Sequence, residues 1–141
     1  MKARCLEELL VFQRSLELAG AVTAILERRA FVRDSDLRDQ LRDACDSIVA
    51  NIAEGFPQPT DRAFANYLFI ARASSHEVRA RLLLALQREY ATPDEVQRCT
   101  SLANEVERMA TGLIKHLRKS NRRNRGLGPE ARTSNNPDAN D

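Results

Sequence analysis

The segment SDLRDQLRDACDSIVANIAEGF, residues 35–56, decides the fold class of this chain. Its apolar residues recur every three or four positions, which is the period of a helix with one face against a core. They are Leu37, Leu41, Ala44 and Ile48. Asp34 or Ser35 can cap the start of this helix, and the two prolines that follow it block its continuation. We therefore predict that the helix stops at Gly55, a glycine suited to the left-handed position after a helix.

The same period recurs on both sides of this segment and predicts three further helices. They run from about residue 5 to about residue 29, from Thr60 to near Tyr90, and from Thr92 to about Ser120. The last of them starts with the clearest local signal in the chain. Thr92-Pro93-Asp94-Glu95 combines a capping threonine, a first-turn proline and a glutamate at the third helical position. This pattern predicts a capping box.

Four helices joined by short connections must place their neighbours antiparallel. We therefore predict an all-α fold, an up-down-up-down antiparallel four-helix bundle, over residues 1–120. The composition agrees, because 43% hydrophobic residues with only 5 Gly and 5 Pro leave few turn residues for a sandwich or a barrel. Residues 121–141 contain almost no large apolar side chain, so we expect a basic, disordered tail there.

The cysteine count and the hydropathy pattern indicate the cellular compartment. Cys5, Cys45 and Cys99 are odd in number and form no CxxC pair, which favours reduced thiols over a disulfide framework or a zinc site. The N-terminal segment lacks the uninterrupted apolar core of a signal peptide. No stretch approaches the roughly 18–20 apolar residues of a membrane span. We predict a cytoplasmic protein.

The sequence contains no recognisable motif for binding a metal or a cofactor. Bundles with a di-metal centre use Glu-x-x-His pairs, but neither His76 nor His116 has a glutamate three positions earlier. Ser75, His76 and Glu77 are adjacent, so on a helix they point about 100° apart and cannot work as a catalytic trio. No phosphate-binding loop is present. We expect no metal, no cofactor and no catalytic residue.

Polar residues interrupt the apolar stripes of the two middle helices. Ser47, Asn51 and Glu54 share one line on the second helix, and Ser74 with Glu77 follows the same pattern on the third. A buried carboxylate needs a donor, so these residues predict a hydrogen-bond network inside the bundle. One interpretation is structural, with the network fixing helix register and oligomer geometry; the other makes Glu54 and Glu77 a general acid and base. We favour the structural one, because no nucleophile or metal ligand lies nearby in the sequence.

The third predicted helix carries more apolar residues than one core face needs. The surplus stripe consists of Phe69, Ala73, Ala80 and Leu83. Such a surplus predicts a subunit interface, although a central helix with a wide buried face would show the same pattern.

Positive charge is concentrated at the C-terminus. The whole chain has a formal net charge of +2, whereas residues 115–141 hold seven lysines and arginines against three acids. Six of these cations fall within residues 115–125 with no acid among them: Lys115, Arg118, Lys119, Arg122, Arg123 and Arg125. The cluster indicates a sequence-independent contact with a phosphate backbone. The alternative is that these cations only complement the helix dipole in a solvated segment.

Two stretches, QLRDACDSIVANIAEGF at 40–56 and NYLFIARASSHEVRARL at 66–82, resemble the four-helix-bundle proteins encoded by intervening sequences of bacterial 23S ribosomal RNA genes. The most specific part is ANIAEGF, residues 50–56, and Ser74 with Glu77 occupies the family's second polar motif. The resemblance implies a small cytosolic bundle without established enzymatic activity. It also implies a ring of five bundles, as in the related accessory proteins of diversity-generating retroelements, which are basic and bind nucleic acid and a reverse transcriptase.

The leading hypothesis is therefore a non-enzymatic ring of bundles, five by resemblance, that touches RNA or DNA through its basic C-terminal helix end. A protein-interaction scaffold without nucleic acid is one alternative. An enzyme that uses Glu54 and Glu77 is the other.

Overall fold

A computed structural model describes residues 2–126 of the chain, and within that range it is helical without strands. After a single 3-10 turn at Leu6–Glu8, the helices are α1 (Leu10–Leu26), α2 (Arg29–Arg33), α3 (Ser35–Gly55), α4 (Asp61–Gln87) and α5 (Pro93–Gly126). The predicted all-α class is confirmed. Within the same range, no helix has the length and apolar character that crossing a bilayer requires.

The first predicted helix, about residues 5–29, corresponds to the 3-10 turn and α1, and the short helix α2 that follows was not predicted. Helix α1 ends at Leu26, and Arg28 takes an extended conformation with φ −66° and ψ 142° before α2 begins. The break turns the chain so that Phe31 is completely buried, at 0% exposure, in the core. No glycine or proline marks this turn, so the helical period alone could not reveal it.

The core is formed by one apolar stripe from each long helix. The residues that predicted α3 are all buried, and the largest fully buried side chains of the described range include Leu18, Leu41, Ile48, Ile52, Leu68, Leu82 and Val106. Helix α4 packs against both α3 and α5, and α1 packs against the same two helices. The start of α4 and the end of α5 are thereby fixed relative to each other.

Contacts between α4 and α5 run in opposite directions along the two helices. Arg72 Nη1 donates to Thr111 Oγ1 at 3.3 Å, and Arg79 Nη1 lies 2.8 Å from Glu107 Oε2. A higher residue number on α4 thus meets a lower one on α5. The basic end of α5 therefore lies beside the first turns of α4.

Side-chain caps begin the three long helices that follow α2. Asp34 accepts a hydrogen bond from the backbone N–H of Leu37 at 3.2 Å, and Thr60 caps α4 in the same way. The predicted capping box is confirmed: Thr92 N–H donates to Glu95 Oε1 at 3.0 Å, and Glu95 N–H donates to Thr92 Oγ1 at 3.2 Å. These bonds satisfy N–H groups that a helix start leaves without partners.

Gly55 is the last residue of α3, but its role differs from the predicted one. No glycine in the described range has a positive φ, and Phe56 after it keeps helical angles of −56° and −45°. A Cβ atom on Gly55 would lie 2.7 Å from Tyr67 Cβ and 2.9 Å from Phe64 Cδ2. The glycine is therefore needed for the close approach of α3 and α4, and it is not a left-handed cap.

Helix α5 continues to Gly126, beyond the predicted end near Ser120. The first part of the predicted tail, residues 121–126, is therefore helical. Residues 127–141 lie outside the described residues.

Candidate nucleic-acid interface

The basic residues predicted from the sequence are presented along the last turns of α5. Lys115, Arg118, Lys119, Arg122 and Arg123 are exposed, while the side chain of Arg125 lies outside the described residues. We call these five exposed residues the basic end of α5. Residues three or four apart share a helix face, so Arg118 and Arg122 lie in line with Thr111, on the side that contacts α4.

A phenylalanine of α4 lies between the basic end of α5 and an arginine of its own helix. The Cζ atom of Arg118 is 4.9 Å from the ring centroid of Phe69, and that of Arg72 is 5.0 Å from it. Both are cation–π distances. The two guanidinium carbons are thus at most 5.0 plus 4.9, or about 10 Å, apart. We call Phe69, Arg72 and Arg118 the arginine–phenylalanine cluster.

Neither guanidinium of this cluster has a carboxylate within ion-pair distance among residues 2–126. Arg72 donates a hydrogen bond to a neutral acceptor, the Thr111 hydroxyl, which leaves its positive charge uncompensated by this contact. Because the two guanidinium carbons lie no more than about 10 Å apart, roughly the Debye length at 0.1 M salt, both charges can attract the same anion.

A groove of about 500 Å³ adjoins the cluster, between the first turns of α4 and the last turns of α5. Its lining consists of Asp61, Arg62, Ala65, Asn66, Phe69, Leu117, Arg118 and Asn121. Two arginines therefore face one carboxylate, and two asparagine amides add neutral donors and acceptors. The arrangement suits an anionic ligand that also has a flat apolar part.

Sequence reasoning missed the α4 half of this surface. It assigned Phe69 to a subunit interface and did not single out Arg62 or Arg72. The spacing of Phe69 and Arg72, three residues apart on one helix, was the available signal. Their meeting with Arg118 depends on how α4 and α5 pack.

The predicted polar network forms in part, between α3 and α4. Ser47 Oγ and Ser74 Oγ lie 2.8 Å apart. Asn51 Nδ2 donates to the backbone oxygen of Ser47 at 2.7 Å and to its Oγ at 3.2 Å. Ser74 is buried, and no buried side-chain polar atom in the described range lacks a partner. The Ser47–Ser74 contact thus joins the middle of the two helices, while Asn51 bonds to Ser47 within α3.

The two glutamates of the predicted network do not enter it. Glu54 and Glu77 are both exposed, and Glu77 Oε1 accepts a hydrogen bond from Arg81 Nε at 3.0 Å on its own helix. Each lies one turn from its network neighbour but is rotated about 60° from it, towards water. Because solvent is within reach, the cost of burying a carboxylate is avoided. The pattern-based expectation of buried carboxylates is corrected accordingly.

The adjacent Ser75, His76 and Glu77 also separate as helical geometry requires. Ser75 Oγ donates to the backbone oxygen of Arg72 at 2.6 Å, inside the bundle. His76 points outward, with Nε2 3.1 Å from Glu107 Oε1, which lies in a surface ion-pair cluster with Arg79. The serine hydroxyl and the imidazole therefore do not form a nucleophile–base pair.

The thiols show the effect of burial on acidity. Burial raises the pKa of Cys45 to about 12 and that of Cys99 to about 11, whereas Cys5 is exposed. The two buried thiols are thus protonated near neutral pH and are not reactive thiolates. Within residues 2–126, no group of three or more His, Cys, Asp or Glu side chains is placed to hold a metal ion.

Most of the predicted surplus stripe on α4 is exposed. Ala73 and Ala80 are exposed, as are Ile70, Leu83 and Leu84, whereas Phe69 is half-buried against α5. Leu83 keeps 56% of its surface and Ile70 49%. We call Ile70, Ala73, Ala80, Leu83 and Leu84 the α4 apolar face.

Comparison with known proteins identifies a family and a similar solved structure. A family model described as 23S rRNA-intervening sequence protein matches residues 7–112. The crystal structure of a protein of unknown function from the S23 ribosomal protein family of Bacteroides thetaiotaomicron VPI-5482 is similar, with a TM-score of 0.68 and 25% identity. The similarity covers 75% of this chain and 99% of that one. No curated protein sequence matches. The family match ends before the basic end of α5 begins.

Proposed function

This chain belongs to the family of 23S rRNA-intervening sequence proteins, and we propose that it forms a non-enzymatic cytoplasmic ring that binds RNA or DNA without sequence preference. The binding surface is the basic end of α5. The observation that carries the proposal is the exposure of five cations along three turns of one helix, with no acid among residues 115–125. Such a row suits the regular spacing of backbone phosphates.

The α4 apolar face supports assembly into a ring. Large apolar residues exposed together on one helix favour burial against another protein surface. Ala73 and Ala80 are small enough for a second helix to approach closely, and Glu77, which lies between them on the same face, has an ion-pair partner in Arg81. Five subunits is the number that the family resemblance implies. A ring with the α5 ends on one side would gather five basic surfaces and raise the affinity for a long strand through multivalency.

We also propose that the protein does not catalyse a reaction. Glu54 and Glu77 are both exposed on the surface, so neither lies in an enclosed site that would hold a substrate against a general acid or base. The interaction-scaffold alternative uses the α4 apolar face without the basic end of α5, so the binding experiment below separates the two.

Assembly is tested by light scattering coupled to gel filtration at micromolar concentration. We expect a particle near five times the chain mass of 15.9 kDa. Leu83→Glu should dissociate it, because it places a charge in the proposed interface. Val32→Glu is the matched control, since Val32 is also exposed, at 52%, but lies on α2. A monodisperse wild-type monomer would overturn the ring.

Binding is tested by fluorescence anisotropy with labelled RNA and DNA over a range of salt concentrations. The full chain is compared with a chain truncated after Leu117. We expect the truncation to weaken binding and to flatten its salt dependence, because it removes most of the basic end of α5. If neither chain binds, or if both bind with the same salt slope, this surface is not the binding site.

A further inference from the structure

We infer that the arginine–phenylalanine cluster and its groove take an unpaired nucleotide, so that the protein prefers single-stranded RNA or DNA to a duplex. This rests on the proposed function and names its ligand more closely. In the proposed complex, the base stacks on the arginine–phenylalanine cluster, and the adjoining phosphates lie against the arginines of the groove and of α5.

The stacking part follows from the geometry of the cluster. Phe69 is half-buried, and the guanidinium groups of Arg72 and Arg118 lie within 5.0 Å of its ring centroid. A guanidinium group beside an aromatic ring adds a second planar group, and unpaired bases stack on both kinds of group. Packing on the ring also restricts the two long side chains, so less entropy is lost when a ligand binds.

The phosphate part follows from the charges around the groove. Arg62 and Arg118 line it, and Arg122 lies one turn beyond Arg118 on the same face of α5. Asp61 opposes them with a single carboxylate. A volume of about 500 Å³ falls in the range of small-ligand sites and admits one nucleotide unit.

Preference for a single strand follows from combining these parts. The bases of a duplex are stacked on one another and paired, so they present only edges and backbone to a protein. A surface with cations alone would hold both forms through their phosphates. The cluster adds a contact that only an unstacked base can make.

Fluorescence anisotropy can test the preference with three labelled probes of about 12 nucleotides: oligouridylate, oligothymidylate and a duplex. We expect Phe69→Leu to weaken single-strand binding roughly tenfold without changing its salt slope, because stacking carries no charge. Phe69→Tyr should restore it. Arg118→Gln should weaken binding and reduce the salt slope by about 0.7, the value for one phosphate contact on a single strand.

Arg79→Gln is the control for Arg118→Gln, since it removes the same charge from α4, at a residue that pairs with Glu107 and does not line the groove. This variant should bind as wild type does. Arg118 is exposed, so its variant keeps the test informative if Phe69→Leu proves unstable. Equal wild-type affinity for duplex and single strand, with no effect of Phe69→Leu, would overturn this inference and leave the proposed function standing. Failure of the wild type to bind any probe would overturn both. The two single-stranded probes distinguish RNA from DNA as the ligand.

Discussion

The Tyr90 hydroxyl donates a 2.9 Å hydrogen bond to Asp34 Oδ2, across 56 positions of the chain. The same carboxylate caps α3 and accepts a hydrogen bond from Arg88 Nη1 at 2.8 Å. The Tyr90 ring packs on Phe31, with centroids 5.3 Å apart. One aspartate therefore connects the start of α3 to the turn between α4 and α5, at the end of the bundle opposite the groove.

This aspartate should make the fold sensitive to acid. The Leu37 backbone N–H and the Tyr90 hydroxyl, with Arg88, hold the pKa of Asp34 below its usual value. A carboxyl group with a lowered folded-state pKa stabilises the fold above its unfolded pKa of about 4, and this contribution is lost as the pH falls through the folded-state value. We expect Asp34→Asn to be less stable than wild type at pH 7, with the difference shrinking in acid.

Urea unfolding at a series of pH values measures this difference. Asp43→Asn, at an exposed position within α3, removes the same charge without touching this junction. A stability difference that follows pH equally in both variants would show that the Asp34 contacts are not its cause.

The hydrogen bond between Ser47 and Ser74 should contribute to stability. Ser74→Ala leaves Ser47 Oγ without this partner, and we expect a loss of about 1 kcal/mol in the free energy of unfolding. Asn51→Leu removes the donor to Ser47 and should cost about 1–3 kcal/mol. Glu54→Ala is the control at an exposed position, expected within about 0.5 kcal/mol of wild type. Denaturant unfolding measures these differences in the free energy of unfolding. If Glu54→Ala were as destabilised as Asn51→Leu, Glu54 would have to be part of the hydrogen-bond network.

Gly55→Ala should destabilise the chain by about 1–3 kcal/mol, because the added Cβ atom meets Tyr67 and Phe64 of α4 at less than 3.0 Å. Gly20→Ala is the matched substitution in α1, where a Cβ atom has no neighbour within 4 Å. It should stabilise by about 0.5–1 kcal/mol through lower backbone entropy of the unfolded chain. Thermal unfolding of both variants checks the opposite signs; a stabilised Gly55→Ala would contradict the close helix contact.

Among the residues that the structure describes, Glu89 is the one non-glycine residue with a positive φ, which is 61°. Tyr90 N–H donates to the Ala85 oxygen at 2.9 Å and Glu89 N–H to the Leu86 oxygen at 3.0 Å, which together form a Schellman motif at the end of α4. Glycine is the residue best suited to this position, so Glu89→Gly should stabilise by roughly 0.5–1 kcal/mol. Glu89→Ala, which keeps the strained backbone, is the control. A Glu89→Gly variant no more stable than Glu89→Ala would contradict the strain.

A structural feature could be predicted from the sequence where all the residues that determine it lie within one short segment. The stripe through Leu37 and Ile48 is buried, and the Thr92 capping box forms, because each depends on residues within a few helical turns. The turn at Arg28 was not predicted, because it accompanies the burial of Phe31 in the core and no nearby glycine or proline marks it.

By itself, then, the sequence determined the helical class, the buried stripes, the capping box and the row of cations on α5. Only the tertiary structure decided which residues meet. It brought Phe69 to Arg118, closed α3 onto α4 at Gly55, and left Glu54 and Glu77 in water. The physical reason is that helical periodicity fixes a side chain's direction on its own helix, whereas its partner depends on the rotation and offset at which two helices pack.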